Sequence, residues 1–183
     1  MTSARRRATI GRERESDMNI VLIGMPGCGK STVGVLLAKT LVRDFVDTDL
    51  LIQRETGCSL CELIERDGTE VFKRTENDVI LAADPQNAVV ATGGSAVYGA
   101  AAMEKLKENG VVVYLRLPPS ELEKRIRNIR TRGIAMEPGT TIADLARERE
   151  PLYERYADLT VDCLGLSAEE CVERIARAVA RFA

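Results

Sequence analysis

The feature that most constrains this chain is a glycine-rich segment near its beginning. Residues 24–31 read GMPGCGKS and match the pattern G-x-x-x-x-G-K-[ST] in full. A short apolar run precedes the segment at residues 19–23, and apolar residues at helical spacing follow it over residues 30–42. A strand, a glycine loop and a helix in this order turn backbone N–H groups towards phosphate oxygens. The segment therefore predicts a nucleotide-binding loop; a glycine turn without a ligand is the alternative.

Side chains in this segment add to the predicted phosphate site. Lys30 has the length and charge to reach the β- and γ-phosphates of a bound nucleotide. The Ser31 hydroxyl is suited to ligate Mg²⁺, so a nucleotide and a metal are expected to bind together. Cys28 lies inside the loop, where we interpret it as a tolerated small residue; sensitivity of nucleotide binding to thiol reagents is the alternative.

Strand-like and helix-like segments alternate along the rest of the chain. Strands separated by helices of about ten residues or more require βαβ crossovers, which predicts an α/β fold with a five-stranded parallel sheet. The predicted strands cover residues 19–23, 45–47, 88–91, 111–115 and 159–161. The predicted helices cover residues 30–42, 50–83 with breaks at Gly57 and Gly68, 100–108, 120–130, 142–156 and 167–182, and residues 131–141 are expected to form a loop.

Acidic residues and glycines follow the second and third predicted strands. Asp47 and Asp49 lie at the carboxyl end of a strand, where open α/β sheets bind their ligands. In an extended chain the two side chains point the same way, so one would organise a metal and the other would accept a hydroxyl proton. The chain contains no histidine, so a base must come from another residue type. Gly93 and Gly94 predict close approach of the backbone to a ligand. A solvated acidic turn and a plain glycine turn are the alternatives.

Composition excludes several other classes of protein. The 183 residues suit one domain, and the net charge of −2 provides no basic field for nucleic acid. No apolar stretch is long enough to span a membrane. Five cysteines, an odd number, indicate a reducing cytoplasm rather than a disulfide framework. Cys58 and Cys61 form a C-x-x-C that we interpret as incidental. We expect a cytoplasmic monomer with no nucleic-acid or membrane partner.

The first 17 residues differ from the rest of the chain. They contain five arginines and three acidic residues, a net charge of +2, which leaves −4 on the remainder. Because they have almost no apolar content, we predict that residues 1–17 are a disordered tail. A transit peptide and a nucleic-acid-binding arm are the alternatives, and the acidic residues argue against both. Residues 18–183 are predicted to form a single domain.

Five segments, taken in order, resemble one known family. They are GMPGCGKST, DTD, TGCSL–ELI–DG–VFKRTE, ATGGSAV and REREPLYERYADLTVD, and together they resemble shikimate kinase and its close relatives over nearly all of the chain beyond the tail. The resemblance implies a three-layer α/β/α P-loop kinase with strand order 2-3-1-4-5, a substrate-binding helical region and a lid at about residues 129–141. It also implies transfer of the γ-phosphoryl of ATP, with Mg²⁺, to a hydroxyl of shikimate, a small hydroxy acid.

The resemblance also implies roles for individual residues. Phosphates and metal are bound by the loop residues and the first turn of its helix: Gly27, Cys28, Gly29, Lys30, Ser31 and Thr32. Asp47 is implied to place Mg²⁺ through water, Asp49 to bind the substrate hydroxyls and act as the base, and Gly93 and Gly94 to offer backbone donors. Arg149 is implied to bind the substrate carboxylate, Arg125 to contact the adenine, and the lid residue Arg132 to contact the transferring phosphate.

Two departures from the family pattern concern the acceptor rather than ATP. The family's F-R-x-x-E reads FKRTE here, so Lys73 replaces an arginine as the substrate-binding candidate, and a lysine cannot form the paired hydrogen bonds of a guanidinium with a carboxylate. The lid, usually R-P-L-L, reads RGIA from Arg132. One alternative is therefore a kinase of another hydroxy acid such as homoserine, with Glu76 or Glu137 as partner for its ammonium group. A nucleotide-gated regulator without an acceptor is the other.

Overall fold

The strands of the protein form one sheet. The computed structural model describes residues 18–126, 133–137 and 139–182. Its strands are β1 (Asn19–Ile23), β2 (Asp44–Asp47), β3 (Ala88–Ala91), β4 (Gly110–Arg116) and β5 (Leu159–Asp162). All neighbouring strands are parallel, in the order β2-β3-β1-β4-β5, so the predicted fold class and strand order are confirmed.

Helices connect the strands and cover the sheet. They are α1 (Lys30–Leu41), α2 (Thr48–Thr56), α3 (Leu60–Asp67), α4 (Thr69–Ala82), α5 (Ala100–Glu108), α6 (Pro119–Arg125), α7 (Ile142–Tyr156) and α8 (Ala168–Val179), with a short 3₁₀ helix at Ala96–Tyr98. Helices α1 and α8 pack together, whereas α5 and α7 pack on β4. Helices α2, α3 and α4, which follow β2 and precede β3 along the chain, pack on one another. No helix in the described part of the chain is long and apolar enough to cross a membrane.

The core forms because the central strands are apolar on both faces. Every residue of β1 and β3 is buried, and β1 lies between β3 and β4. A second, smaller apolar cluster joins the α2–α4 region to the segment 133–137, through Ile52, Leu60, Leu63, Phe72 and Ala135. This segment therefore packs against the helical region, beside the carboxyl end of the sheet.

Most predicted boundaries agree with the structure, and the exceptions have local causes. Gly57 and Gly68, both at positive φ, end α2 and α3 as the glycine breaks predict. Helix α2 begins at Thr48 because the side chain of Asp47 caps it. Helix α6 ends at Arg125 because Ile126, with φ −90° and ψ 67°, leaves the helical region. The predicted tail 1–17, the rest of the predicted helix over residues 127–130, and Arg132 in the lid lie outside the described residues.

Candidate active site

The phosphate loop has the backbone geometry that its sequence predicts. Gly24, Gly27 and Gly29 all have positive φ, a conformation that residues with a side chain rarely adopt. Gly29 caps α1 without a side-chain hydrogen bond, and the first turn of α1 contains no acidic residue. The N–H groups of that first turn have no partner within the helix and carry its positive dipole end. They form a ready anion site at the carboxyl end of β1.

Lys30 lies across this loop. Its side chain is buried, and the ammonium group donates to the carbonyl oxygens of Gly24 at 2.7 Å and Met25 at 3.0 Å. These contacts hold the positive charge of Lys30 against the backbone of the loop. Cys28 is 2% exposed and its Sγ lies 3.8 Å from Lys30 Nζ, so its side chain points into the loop rather than to solvent.

Asp47 connects the loop to the second strand. The Ser31 hydroxyl donates to Asp47 Oδ2 at 2.7 Å, so the two predicted metal ligands lie side by side. Asp47 Oδ1 accepts a hydrogen bond from the backbone N–H of Asp49 at 3.0 Å and thereby caps α2. The chain is therefore not extended from Asp47 to Asp49 as the sequence prediction requires, because α2 starts at Thr48 between them.

Asp49 and Glu76 meet at Gly93. A Cβ placed on Gly93 would lie 2.1 Å from Glu76 Oε1 and 2.8 Å from Asp49 Oδ1, so the missing side chain makes room for both carboxylates. The Gly93 N–H donates to the Thr48 hydroxyl at 2.9 Å, which fixes this backbone. That N–H is therefore already used within the protein, and Gly93 contributes space rather than the backbone donor that the resemblance implies.

Burial changes the acidity of both carboxyl groups. It raises the pKa of Asp49 to about 6, with a further rise from the charge of Asp47 and an opposing effect from Lys30. It raises the pKa of Glu76 to about 7, although the hydroxyl of Ser95 donates to Glu76 Oε2 and opposes the rise. Glu76 Oε1 is buried without a hydrogen-bond partner among the described residues. Perturbed carboxyl groups facing a cleft are typical of sites that bind or transform a ligand.

Arg149, from α7, is a second buried cation of the site, besides Lys30. It is 1% exposed; its Nε donates to the hydroxyl of Tyr98 at 3.1 Å and its Nη2 donates to the carbonyl oxygen of Ala135. Its Nη1 is buried without a partner among the described residues and lies beside Gly94, where a Cβ would approach it to 3.1 Å. A buried guanidinium with an unpaired donor is suited to an anionic group of a ligand.

Lys73 does not reach this position. Its ammonium group pairs with Glu70 at 2.8 Å and lies 4.5 Å from the centre of the Tyr98 ring. Lys73 is thus outside the lining of the cleft into which the phosphate loop opens. Glu137, the other acidic residue considered for an ammonium group, is exposed and also lies outside that lining. Glu76 is buried against Gly93, a lining residue, and is itself outside that lining.

These groups surround one cleft of about 510 Å³ at the carboxyl end of the sheet. Among its lining residues are ten of the predicted site residues: Gly27, Gly29, Lys30, Ser31, Thr32, Asp49, Gly93, Gly94, Arg125 and Arg149. Cys28, Asp47 and Lys73 lie outside the lining, and Arg132 lies outside the described residues. Phe72, Ser95 and Ala135 also contribute to the site and were not predicted; their neighbours in the motifs were the available signal.

The phosphate loop and the carboxylate–arginine pocket thus open into the same cleft. A nucleotide and a second ligand can bind there next to each other, as a direct transfer between them requires. With the strand order of the sheet, this arrangement defines the class of the protein as a P-loop phosphotransferase.

Comparison with known proteins identifies the family within that class. The family model for shikimate kinase matches residues 26–180. A shikimate kinase of Caldanaerobacter subterraneus is 37% identical over 163 residues, which cover 87% of this chain and 95% of the relative. The structure of shikimate kinase from Acinetobacter baumannii in complex with shikimate matches with a TM-score of 0.82 at 33% identity, covering 90% of this chain and 93% of that chain. Shikimate kinase from Aquifex aeolicus matches with a TM-score of 0.76 at 30% identity, covering 89% and 96%.

The chain belongs to the shikimate kinase family, and the resemblance drawn from its ordered motifs is confirmed.

Proposed function

We propose that this protein transfers the γ-phosphoryl group of ATP to a hydroxyl group of shikimate. The observation that carries the proposal is the shared cleft. The phosphate loop forms one side, and Asp49 and Arg149 line a pocket for a small hydroxy acid beside it, with Glu76 buried behind Gly93. Membership of the family supplies the identity of the acceptor.

Catalysis then depends mainly on positioning and on charge neutralisation, as in other phosphoryl transfers. The N-terminal turn of α1 and Lys30 hold the phosphates of ATP. Arg125, which lies at the end of α6 and in the cleft lining, would contact the adenine. Arg132 is assigned to the transferring phosphate by the family pattern alone.

Ser31 and Asp47 fit a bound Mg²⁺. The described residues contain no group of three or more His, Cys, Asp or Glu side chains that could hold a metal unaided. Mg²⁺ commonly takes one or two protein oxygens and completes its shell with waters and phosphate oxygens. Ser31 Oγ and Asp47 Oδ2, 2.7 Å apart beside the loop, offer such a pair of oxygens. The metal, when bound, would neutralise negative charge on the phosphates.

Asp49 is the proposed base. With a pKa of about 6, it is largely ionised at pH 7 and more basic than an ordinary aspartate. It would accept the proton of the attacking hydroxyl while the γ-phosphoryl group forms its new bond to that oxygen and leaves ADP. Arg149 would hold the carboxylate of the acceptor through its unpaired Nη1.

Release of ADP by the purified protein tests the proposal. We expect shikimate to stimulate release strongly, whereas homoserine should leave it at the rate without acceptor. Turnover with homoserine and not with shikimate would overturn the choice of acceptor, and slow hydrolysis independent of any acceptor would indicate a nucleotide-gated regulator.

Asp49→Asn tests the role of the base. It should reduce turnover by at least about a hundredfold, in line with general-base effects of 10²–10⁴, and leave ATP affinity nearly unchanged. Asp44→Asn is a matched control, since Asp44 is an exposed aspartate at the other end of β2. Equal loss of turnover and ATP affinity in Asp49→Asn would remove the assignment.

A further inference from the structure

The partners of Arg149 determine which of its donors face the cleft. A guanidinium carries five N–H groups. The one on Nε is used by the Tyr98 hydroxyl, and one on Nη2 is used by the Ala135 carbonyl oxygen. Both N–H groups of Nη1 remain unused among the described contacts, at the side of the guanidinium next to Gly94. The two N–H groups of Nη1 are therefore available to a carboxylate.

Tyr98 is itself held so that it can accept from Arg149 Nε. Its hydroxyl donates its only proton to Glu148 Oε1, an acceptor that offers no proton in return when ionised. The oxygen lone pairs of the hydroxyl are thereby directed to the N–H of Arg149 Nε. Ionised Glu148 can only accept a hydrogen bond and Arg149 Nε can only donate one, so the two partners together fix the direction of the hydroxyl.

The Tyr98 ring is flanked by two cations. The Arg149 guanidinium carbon lies 5.2 Å from the ring centre and the Lys73 ammonium nitrogen lies 4.5 Å from it. Both distances are within the range of cation–π attraction. Glu70 holds Lys73 in place at 2.8 Å. Lys73 thus supports Tyr98 and stays away from the cleft, although its place in the sequence is that of a substrate-binding residue.

We propose that Tyr98 is a positioning residue for acceptor specificity: it fixes the Arg149 guanidinium so that Nη1 faces the carboxylate of the acceptor, and Lys73 braces its ring. The inference rests on the proposed function, in which Arg149 binds that carboxylate. Without the Tyr98 hydroxyl, the Nε donor loses its partner and the guanidinium can turn Nη1 away from the carboxylate.

Tyr98→Phe tests this role, because it removes the hydroxyl and keeps the ring next to Lys73 and Arg149. Steady-state kinetics are measured with shikimate and with its carboxamide, in which a neutral amide replaces the carboxylate. We expect the KM for shikimate to rise about tenfold, as for loss of a hydrogen bond to a charged group, with kcat and the KM for ATP within about twofold. With the carboxamide, which keeps a carbonyl acceptor but no charge, kcat/KM should fall clearly less in Tyr98→Phe than it does with shikimate.

The two acceptors separate positioning from a general structural role. A loss of the same size on shikimate and on the carboxamide, or no loss on shikimate, would overturn the inference. Tyr156→Phe, a buried tyrosine at the end of α7 and outside the cleft lining, is the matched control and should change none of these constants. An unsubstituted protein that phosphorylates neither acceptor would contradict the proposed function itself, and the inference with it.

Discussion

Gly93→Ala is the most demanding test of the acceptor pocket, because the new methyl group would occupy the space between the two carboxylates. At 2.1 Å from the new Cβ, Glu76 Oε1 has to retreat by about 1.3 Å to reach the 3.4 Å at which ordinary contacts begin. Asp49 Oδ1, at 2.8 Å, has to move by about 0.6 Å. The Gly93 backbone cannot easily give way instead, since its N–H is bonded to the Thr48 hydroxyl. The Glu76 carboxylate is in turn restrained by the hydroxyl of Ser95.

Displacements of this size predict a loss of catalysis rather than of nucleotide binding. An error of about 1 Å in the placement of reacting groups costs on the order of a hundredfold. We therefore expect kcat/KM for shikimate to fall about a hundredfold in Gly93→Ala, with the KM for ATP within about threefold. The assay is ADP release at saturating ATP, with shikimate varied, accompanied by a thermal melt to establish that the variant is folded.

Gly99→Ala is the matched control for this variant. Its new Cβ would also meet a side-chain oxygen, Asn77 Oδ1 at 2.6 Å, but at a half-buried asparagine outside the cleft lining that can turn aside. Its kinetic constants should stay within about threefold of the unsubstituted protein. A folded Gly93→Ala that retained kcat/KM within threefold would refute the reasoning, because the placement of Asp49 and Glu76 would then have no bearing on the reaction.

Three further predictions follow from single contacts. The carboxyl carbon of Asp49, followed by ¹³C NMR and assigned with Asp49→Asn, should titrate near pH 6. Since the ionised carboxylate is the base, kcat/KM should fall about tenfold for each pH unit below that value. Titration of Asp49 near pH 4 would contradict this prediction. Tyr153→Phe, which leaves the Gly94 carbonyl without its 2.6 Å donor, should lower the free energy of unfolding in urea by about 1–3 kcal/mol, and an unchanged midpoint would exclude that contribution. Lys73→Met, which keeps most of the length of the stem, should raise the KM for shikimate less than Tyr98→Phe does; a larger rise would place Lys73 directly on the carboxylate.

Local patterns in the sequence predict most of the fold. The strands β1 and β3 are short apolar runs buried on both faces, and their bounds agree with the prediction to the residue. The start of α2 could not be placed from the sequence, because an aspartate that caps a helix looks the same there as one in an extended segment. The hydrogen bond from the Asp49 N–H to Asp47 Oδ1 is what identifies Asp47 as the cap. Similarly, nothing local in the pattern at Ile126 marks the end of α6.

In the site, too, the parts built from local sequence are predictable and the parts built from distant residues are not. The phosphate loop is predictable since backbone conformation and one lysine make it, and both are encoded within eight residues. For the acceptor pocket the motifs name lining residues such as Asp49 and Arg149 but not their geometry, which depends on residues distant in sequence. Arg149, for example, takes its orientation from Tyr98 and Ala135. For the same reason the sequence suggests Lys73 as a ligand for the substrate, whereas the fold directs it to Glu70 and Tyr98.

The central claim is that the γ-phosphoryl group of ATP ends on a hydroxyl group of shikimate. ³¹P NMR of a reaction containing the protein, Mg²⁺, ATP and shikimate tests it most directly. We predict that the γ-phosphate signal of ATP disappears as a phosphate monoester signal grows in equal amount, coupled to a ring proton of shikimate. Growth of inorganic phosphate alone, with shikimate unchanged, would contradict the claim.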